Sequence, residues 1–162
     1  MTKRIPLTTR TKALNCAFLL VLISALVHGQ TILRDPPPYQ LTEMKIVPFS
    51  QRTNSFLAEI KNDAAFSGWN DLNLSLFVTI EVSGKAGSYG SRRNVEVVAY
   101  EGRRLIVKRV GHIGVLDEST GKYFVPVWLY GSFCQPVTIK ARLIGQTRSA
   151  TLQRKIDFQC GE

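Results

Sequence analysis

Cysteine, histidine and long apolar runs are all scarce in this chain, and each scarcity excludes something. Of three cysteines, Cys16 falls within the N-terminal apolar stretch, which leaves Cys134 and Cys160 for the rest of the chain. Two thiols cannot build a zinc site without histidine or acidic help. The only histidine beyond residue 29 is His112, distant in sequence. It is also the single imidazole that could serve a nucleophile–base–orienter site, in Val110-Gly111-His112-Ile113-Gly114. A strand-end or loop histidine flanked by glycines explains it more simply. The carboxylate pair Asp117-Glu118 sits in the polar stretch Asp117-Glu118-Ser119-Thr120-Gly121, which reads as a solvated turn and not as a glycosidase dyad. We therefore expect no catalytic residue, no metal and no cofactor, and a chain that is not an enzyme.

No apolar run reaches the ~20 residues of a membrane-spanning helix. The longest is ALNCAFLLVLISALV, Ala13 to Val27. It follows Lys3, Arg4, Arg10 and Lys12, contains no acidic residue, and ends at Val27-His28-Gly29 ahead of Gln30. Basic opening, short apolar core and small residues, in that order, read as a secretory signal peptide over residues 1–29, cleaved after Gly29. The alternative is retention of residues 13–27 as an anchor. Cys16 lacks the small-residue pattern of a lipoprotein cysteine and sits too early in the run. Export implies a secreted or periplasmic location, or, with the anchor, a membrane-tethered domain facing outside the cytoplasm. There, Cys134 and Cys160 are expected as a disulfide, closing a loop of roughly 25 residues for about 3.5 kcal/mol on a chain-entropy basis.

What is present fits one globular domain. The 162 residues are 44% apolar and 20% charged, inconsistent with wholesale disorder. The net charge of +9 includes the four cations of the leader, so the remainder carries about +5. Residues 30–43 read as an extended linker, because Asp35-Pro36-Pro37-Pro38 enforces polyproline-like backbone. Residues 44–162 read as the domain. Apart from a short stretch around Asp63-Ala64-Ala65-Phe66, read as a loop, no segment shows a 3.6-residue period. Leu72 to Val82 alternates instead, with Leu72, Leu74, Leu76, Val78, Ile80 and Val82 on one face and Phe77 the only interruption of the polar one. Further strands are expected at Met44 to Phe49, Ser55 to Lys61, Asn94 to Tyr100, Arg103 to Val110, Tyr123 to Tyr130, Val137 to Ile144 and Thr151 to Gln159, with a tight turn at Glu101-Gly102. Seven to eight antiparallel strands make an all-β sandwich of immunoglobulin/fibronectin III-like class. Matching buried faces in the last two strands pairs Leu143 with Leu152, Ile139 with Ile156 and Val137 with Phe158. That register sets Cys160 opposite Gln135, one position from Cys134.

The segments Phe56-Leu57-Ala58-Glu59-Ile60-Lys61-Asn62 and Trp69-Asn70-Asp71-Leu72-Asn73-Leu74-Ser75-Leu76-Phe77-Val78-Thr79-Ile80 resemble the opening of immunoglobulin/fibronectin type III-like (FxLYD-like) bacterial surface modules. The likeness covers about a quarter of the chain beyond the leader. It implies a module for spacing or binding and carries over no functional residue. The cysteines depart from the immunoglobulin pattern, since they would not join two facing sheets, and no tyrosine-corner residue occurs in Val137 to Ile144.

Three surfaces remain to be weighed. Gly84-Lys85-Ala86-Gly87-Ser88-Tyr89-Gly90-Ser91 lacks the helix a phosphate loop needs and reads as a mobile hairpin or sheet-crossing loop. Arg92-Arg93, Arg103-Arg104 and Lys108-Arg109 are the densest basic cluster, placed by a hairpin near one edge or end. They either protect a sheet edge or meet an anionic partner. Nucleic acid is excluded from the expectation because no aromatics are interleaved with them. Tyr123 to Tyr130 is apolar on both faces, and Pro126 confines it to an edge or bulge. It is expected in the core under partial cover, whereas exposed rings there would point to a protein or carbohydrate contact. Asn73-Leu74-Ser75 matches a glycosylation triplet but falls inside an expected strand. The expected binding patch is Arg92, Arg93, Arg103, Arg104, Trp128 and Tyr130. The expected function is a non-enzymatic exported module that binds or supports an unidentified protein or envelope polymer.

Overall fold

Alternating apolar and polar side chains give each strand one face to bury, and two such faces closed on each other form this molecule. The computed structural model describes residues 38–61 and 73–158. They form eight antiparallel strands: β1 (Gln40–Ser50), β2 (Ser55–Phe56), β3 (Leu74–Ser83), β4 (Asn94–Glu101), β5 (Arg104–His112), β6 (Lys122–Leu129), β7 (Val137–Ile144) and β8 (Thr151–Ile156). Sheet A has the order β2-β1-β3-β6 and sheet B the order β5-β4-β7-β8. The chain crosses between sheets three times, at β3–β4, β5–β6 and β6–β7. The all-β sandwich expected from the alternation is what forms.

β3 shows how the pattern is used. Leu74, Leu76, Val78, Ile80 and Val82 are buried between the sheets, against Val95, Val97 and Ala99 of β4 and Val137, Ile139 and Ala141 of β7 in one continuous core. Phe77 breaks the polar side of the alternation because it faces outward, between Val47 of β1 and Trp128 of β6. The β4–β5 turn closes over Gly102-Arg103, with Glu101 paired to Arg104. A positive φ (55°) at Gly102 and none at Arg103 is the type II′ arrangement, which requires glycine at the first central position.

The structure departs from the sequence reading in three places. The sandwich begins before residue 44: β1 starts at Gln40, inside the expected linker. Tyr39 ahead of it is 1% exposed. Its N–H donates to Gln146 Oε1 (3.1 Å), its carbonyl accepts from Gln146 Nε2 (2.8 Å), and the Arg93 guanidinium lies 4.6 Å from its ring centroid. A second departure is that Ser55 to Lys61 yields only the two-residue β2. Pro48 of β1 offers no N–H toward that edge, so a regular ladder stops, although Leu57 and Ile60 still donate to the carbonyls of Pro48 and Ile46 at 2.9 Å. Arg154 of β8 reinforces the same side by donating to the carbonyls of Met44 (3.2 Å) and Ile60 (2.8 Å).

The third departure is the register of the last hairpin. Val137 pairs with Ile156 and Ala141 with Leu152, a shift of two residues from the expected pairing. A two-residue slip returns every side chain to the same face, so hydrophobic matching cannot distinguish the two registers. The turn decides: Leu143 N–H donates to Ser149 Oγ (3.0 Å), and the ladder begins at Arg142–Thr151.

Candidate binding surface

The outward side of sheet A is built from residues that the strand period forces away from the core. Cross-strand rows place Phe49 opposite Phe56, and Val47, Phe77 and Trp128 side by side. Five rings result in one connected cluster at the end of the sheet where β1 and β6 finish. Phe77 and Trp128 lie 4.9 Å apart, Phe49 and Phe56 5.1 Å, Phe56 and Trp128 5.9 Å, and Trp128 and Tyr130 6.0 Å with planes within 15°. Edge-on and tilted pairs of this kind contribute about 0.5–1.5 kcal/mol each beyond area burial. They do not hide the rings: Phe56 is 54% exposed and Tyr130 71%. The other half of the face holds the exposed Phe124, opposite Glu81, among polar groups whose charges are internally balanced. Lys45 pairs with Glu43 (3.4 Å) and Lys122 with Glu81 (2.9 Å), while Thr42 Oγ1 donates to Glu81 (2.8 Å). The hydrogen bond from Lys122, assisted by Thr42 and by the charge of Lys45, holds the Glu81 carboxyl below the usual range against its burial. Aromatic surface without fixed charge thus adjoins a half whose charges are already paired.

Of the residues expected in a patch, the structure brings some together and separates others. Trp128, half-buried, and Tyr130, exposed, belong to the aromatic cluster on the outer face. Arg92 and Arg93 precede β4 and Arg103 and Arg104 follow it, so the two pairs stand at opposite ends of an eight-residue strand, roughly 26 Å apart. They are not one basic cluster. Arg93 is buried over Tyr39, and Arg104 is ion-paired with the buried Glu101. Glu101 also accepts from the Cys134 N–H (2.9 Å). These bonds, that of Arg104 foremost, keep its carboxyl below the usual range against its burial. Arg109 lies opposite the buried Val97 on edge strand β5, where an inward-facing charge discourages further strand pairing.

The remaining candidates have structural occupations. His112 ends β5, exposed, with Nδ1 2.7 Å from Asn94 Oδ1. Asp117 Oδ1 accepts from the backbone N–H and hydroxyl groups of Ser119 and Thr120, which puts its carboxyl far below the ordinary range and closes the turn. Residues 84–91 cross from sheet A to sheet B and are tied down, with Gly87 donating to Leu116 (3.1 Å) and Leu116 to Ser88 (3.0 Å); β4, not a helix, follows. Asn73 stands exposed just before β3, outside the strand that was expected to hold it. Cys134 is exposed in the β6–β7 connection, and Cys160 lies outside the described residues, as do the leader and Asp63 to Phe66. Among the described residues no group of three or more His, Cys, Asp and Glu could hold a metal ion, and no helix is long and apolar enough to cross a membrane.

Sequence reasoning missed Phe49, Phe56 and Phe77 as surface residues. The signal was there in Phe77, an aromatic on the polar side of a strict alternation. No protein-family model matches the chain, and no curated protein matches it.

Proposed function

We propose that this chain is an exported, non-enzymatic β-sandwich module that binds or structurally supports another envelope or secreted component through the outer face of sheet A. The observation that carries the reading is the five-ring cluster of Phe49, Phe56, Phe77, Trp128 and Tyr130 on a solvent-facing sheet surface. Aromatic side chains bring large, rigid contact area at small entropic cost and are enriched at interface centres. Export rests on the basic-then-apolar leader of residues 1–29. It makes a Cys134–Cys160 disulfide part of the proposal, supported by the packing of Phe133 on Phe158 (5.4 Å between ring centroids), each within two residues of a cysteine.

A second reading retains residues 13–27 as an anchor, with Pro36-Pro37-Pro38 as a stiff spacer. It is favoured by the clamp on Tyr39, which fixes the chain immediately after those prolines. Intact mass separates the two: an exported form beginning at Gln30 excludes the anchor. Binding is tested by capture from the native compartment under non-reducing conditions. Wild type should retain a partner that Trp128→Ala loses. Equal capture by both would remove the aromatic face from consideration. Charge reversal of Arg92 and Arg103, one exposed member of each pair, should leave capture unchanged, because neither belongs to the aromatic cluster.

A further inference from the structure

We propose that the outer face of sheet B binds a linear acidic glycan, a sugar polymer bearing carboxylates, in a site formed by Lys140, Arg142, Tyr100 and Thr151 with Lys108 at its flank. This surface is separate from the aromatic face. The register puts Lys108, Val98 and Lys140 in one row across three strands, so the two ammonium-bearing positions are two strand spacings apart, roughly 10 Å. Arg142 and Glu96 occupy the next row. Between the rows lies a shallow depression of about 300 Å³ lined by Glu96, Val98, Tyr100, Lys140, Arg142 and Thr151.

Each lining group has a role that suits one kind of occupant. Glu96 pairs with both Arg142 and Lys108 (3.5 Å). The hydrogen bond from Arg142 in particular keeps its carboxyl below the usual range. One carboxylate therefore orients two cations and neutralises one. Arg142 donates its Nε to Glu96, which leaves the terminal nitrogens of the guanidinium for an incoming carboxylate, the planar partner that guanidinium matches best. Lys140 is exposed and has no acidic partner among the described residues. The half-buried Tyr100 and Val98 offer an apolar floor for the C–H face of a sugar ring, and Thr151 and Gln153 add neutral hydrogen-bonding groups along the rim. Lys155, opposite Thr138 two positions from Lys140 on the β8 side, is already ion-paired with Asp157 (2.8 Å) and marks the far edge of the site. A polymer with regularly spaced carboxylates can meet Arg142 and Lys140 in succession, with the ion-paired Lys108 and Lys155 flanking them on either side. A flat bilayer cannot reach into a concavity, and a nucleic acid strand would want more than one ring to stack on.

The test is binding of the purified exported protein to polygalacturonate, with neutral dextran and 3:1 phosphatidylcholine:phosphatidylglycerol vesicles as the other arms. Polygalacturonate should bind, weakening several-fold as salt is raised through the physiological range, while dextran and vesicles should not. Lys140→Glu should weaken polymer binding at least tenfold with an unchanged thermal midpoint. Lys140→Ala should weaken it about threefold. Tyr130→Ala should leave it as in wild type, which separates this site from the aromatic one. Failure of wild type to bind the polymer, binding by Lys140→Glu within twofold of wild type, equal binding of neutral dextran, or binding to vesicles alone would each overturn the proposal.

Discussion

Along its strands sheet A carries two lysines against two glutamates and six aromatic residues, whereas sheet B, counted with its β4–β5 turn, carries eight Lys and Arg against Glu96 and Glu101 and a single aromatic, Tyr100. The inward faces show no such contrast. Ile46, Val78 and Ile80 on one side and Val97, Ile139 and Ala141 on the other are all fully buried aliphatics. One backbone plan, with one inner layer, therefore supports two outer surfaces of different chemistry. The inner residues specify that the sheets close, and the outer ones specify what each sheet can meet. A fold of this kind carries no function of its own, so the asymmetry of the outer faces is where function has to be sought.

That division can be broken most forcefully on β3, where neighbouring residues serve opposite layers. Leu76→Ala should cost about 2–5 kcal/mol, as deletion of a fully buried aliphatic group does, measured as a fall in denaturation midpoint. Once folded, this variant should bind partners as wild type does. Trp128→Ala removes the ring that touches Phe49, Phe56, Phe77 and Tyr130. Several edge-on or tilted pairs are lost, so about 1–3 kcal/mol of stability should go, together with partner capture. If Trp128→Ala were as costly as Leu76→Ala while capture persisted, the outer rings would belong to a second core and not to a contact surface.

The two sheets also differ in what their buried glutamates hold. Glu81 sits within the charge-balanced half of sheet A, while Glu101 joins the β4–β5 turn of sheet B to the segment bearing Cys134. Folding lowers the proton affinity of Glu101. Its contribution is therefore complete above the ordinary glutamate value of about 4.3 and is lost as pH falls through the depressed folded value. Thermal midpoints should be lower in Glu101→Gln than in wild type at pH 7, and the gap should narrow below about pH 4. A gap of constant size from pH 7 to pH 2.5 would show that the carboxylate's charge contributes nothing there.

How much of this could be read from the residues follows from the period of the strand. Alternation in Leu74 to Val82 identifies the buried face of β3 whatever its partners are, and the end positions of β7 follow from Pro136 and Gly145. Alternation is blind to a slip of two, which is why the β7–β8 register was settled only by the Ser149 hydroxyl at the turn. It is blind as well to contacts across sequence distance. Nothing local in Tyr39 announces that Gln146 brackets its backbone and Arg93 covers its ring. The two arginine pairs lie apart for a related reason. Arg92-Arg93 and Arg103-Arg104 are close in sequence, but a strand between them turns ten residues into the length of the sandwich. The aromatic face was half legible, because Trp128 near the end of β6 and Tyr130 just past it are two residues apart in sequence, whereas Phe49, Phe56 and Phe77 join them only through pairing.

Tyr130 gives the smallest expected stability change and the cleanest separation of surface from core. It follows the last residue of β6, is 71% exposed, and stacks on the Trp128 ring with its plane within 15°. Replacing an exposed ring whose removal opens no cavity changes stability by no more than about 0.5 kcal/mol. Tyr130→Ser should therefore melt as wild type does. If the cluster is a contact surface, the same variant should lose partner capture in proportion to the area it removes, since aromatic anchors at an interface commonly contribute about 2 kcal/mol or more. Unchanged melting with unchanged capture would confine the contact to Phe56 and Trp128. Unchanged melting with weakened capture would show that a ring contributing almost nothing to the fold is kept on sheet A for its partner.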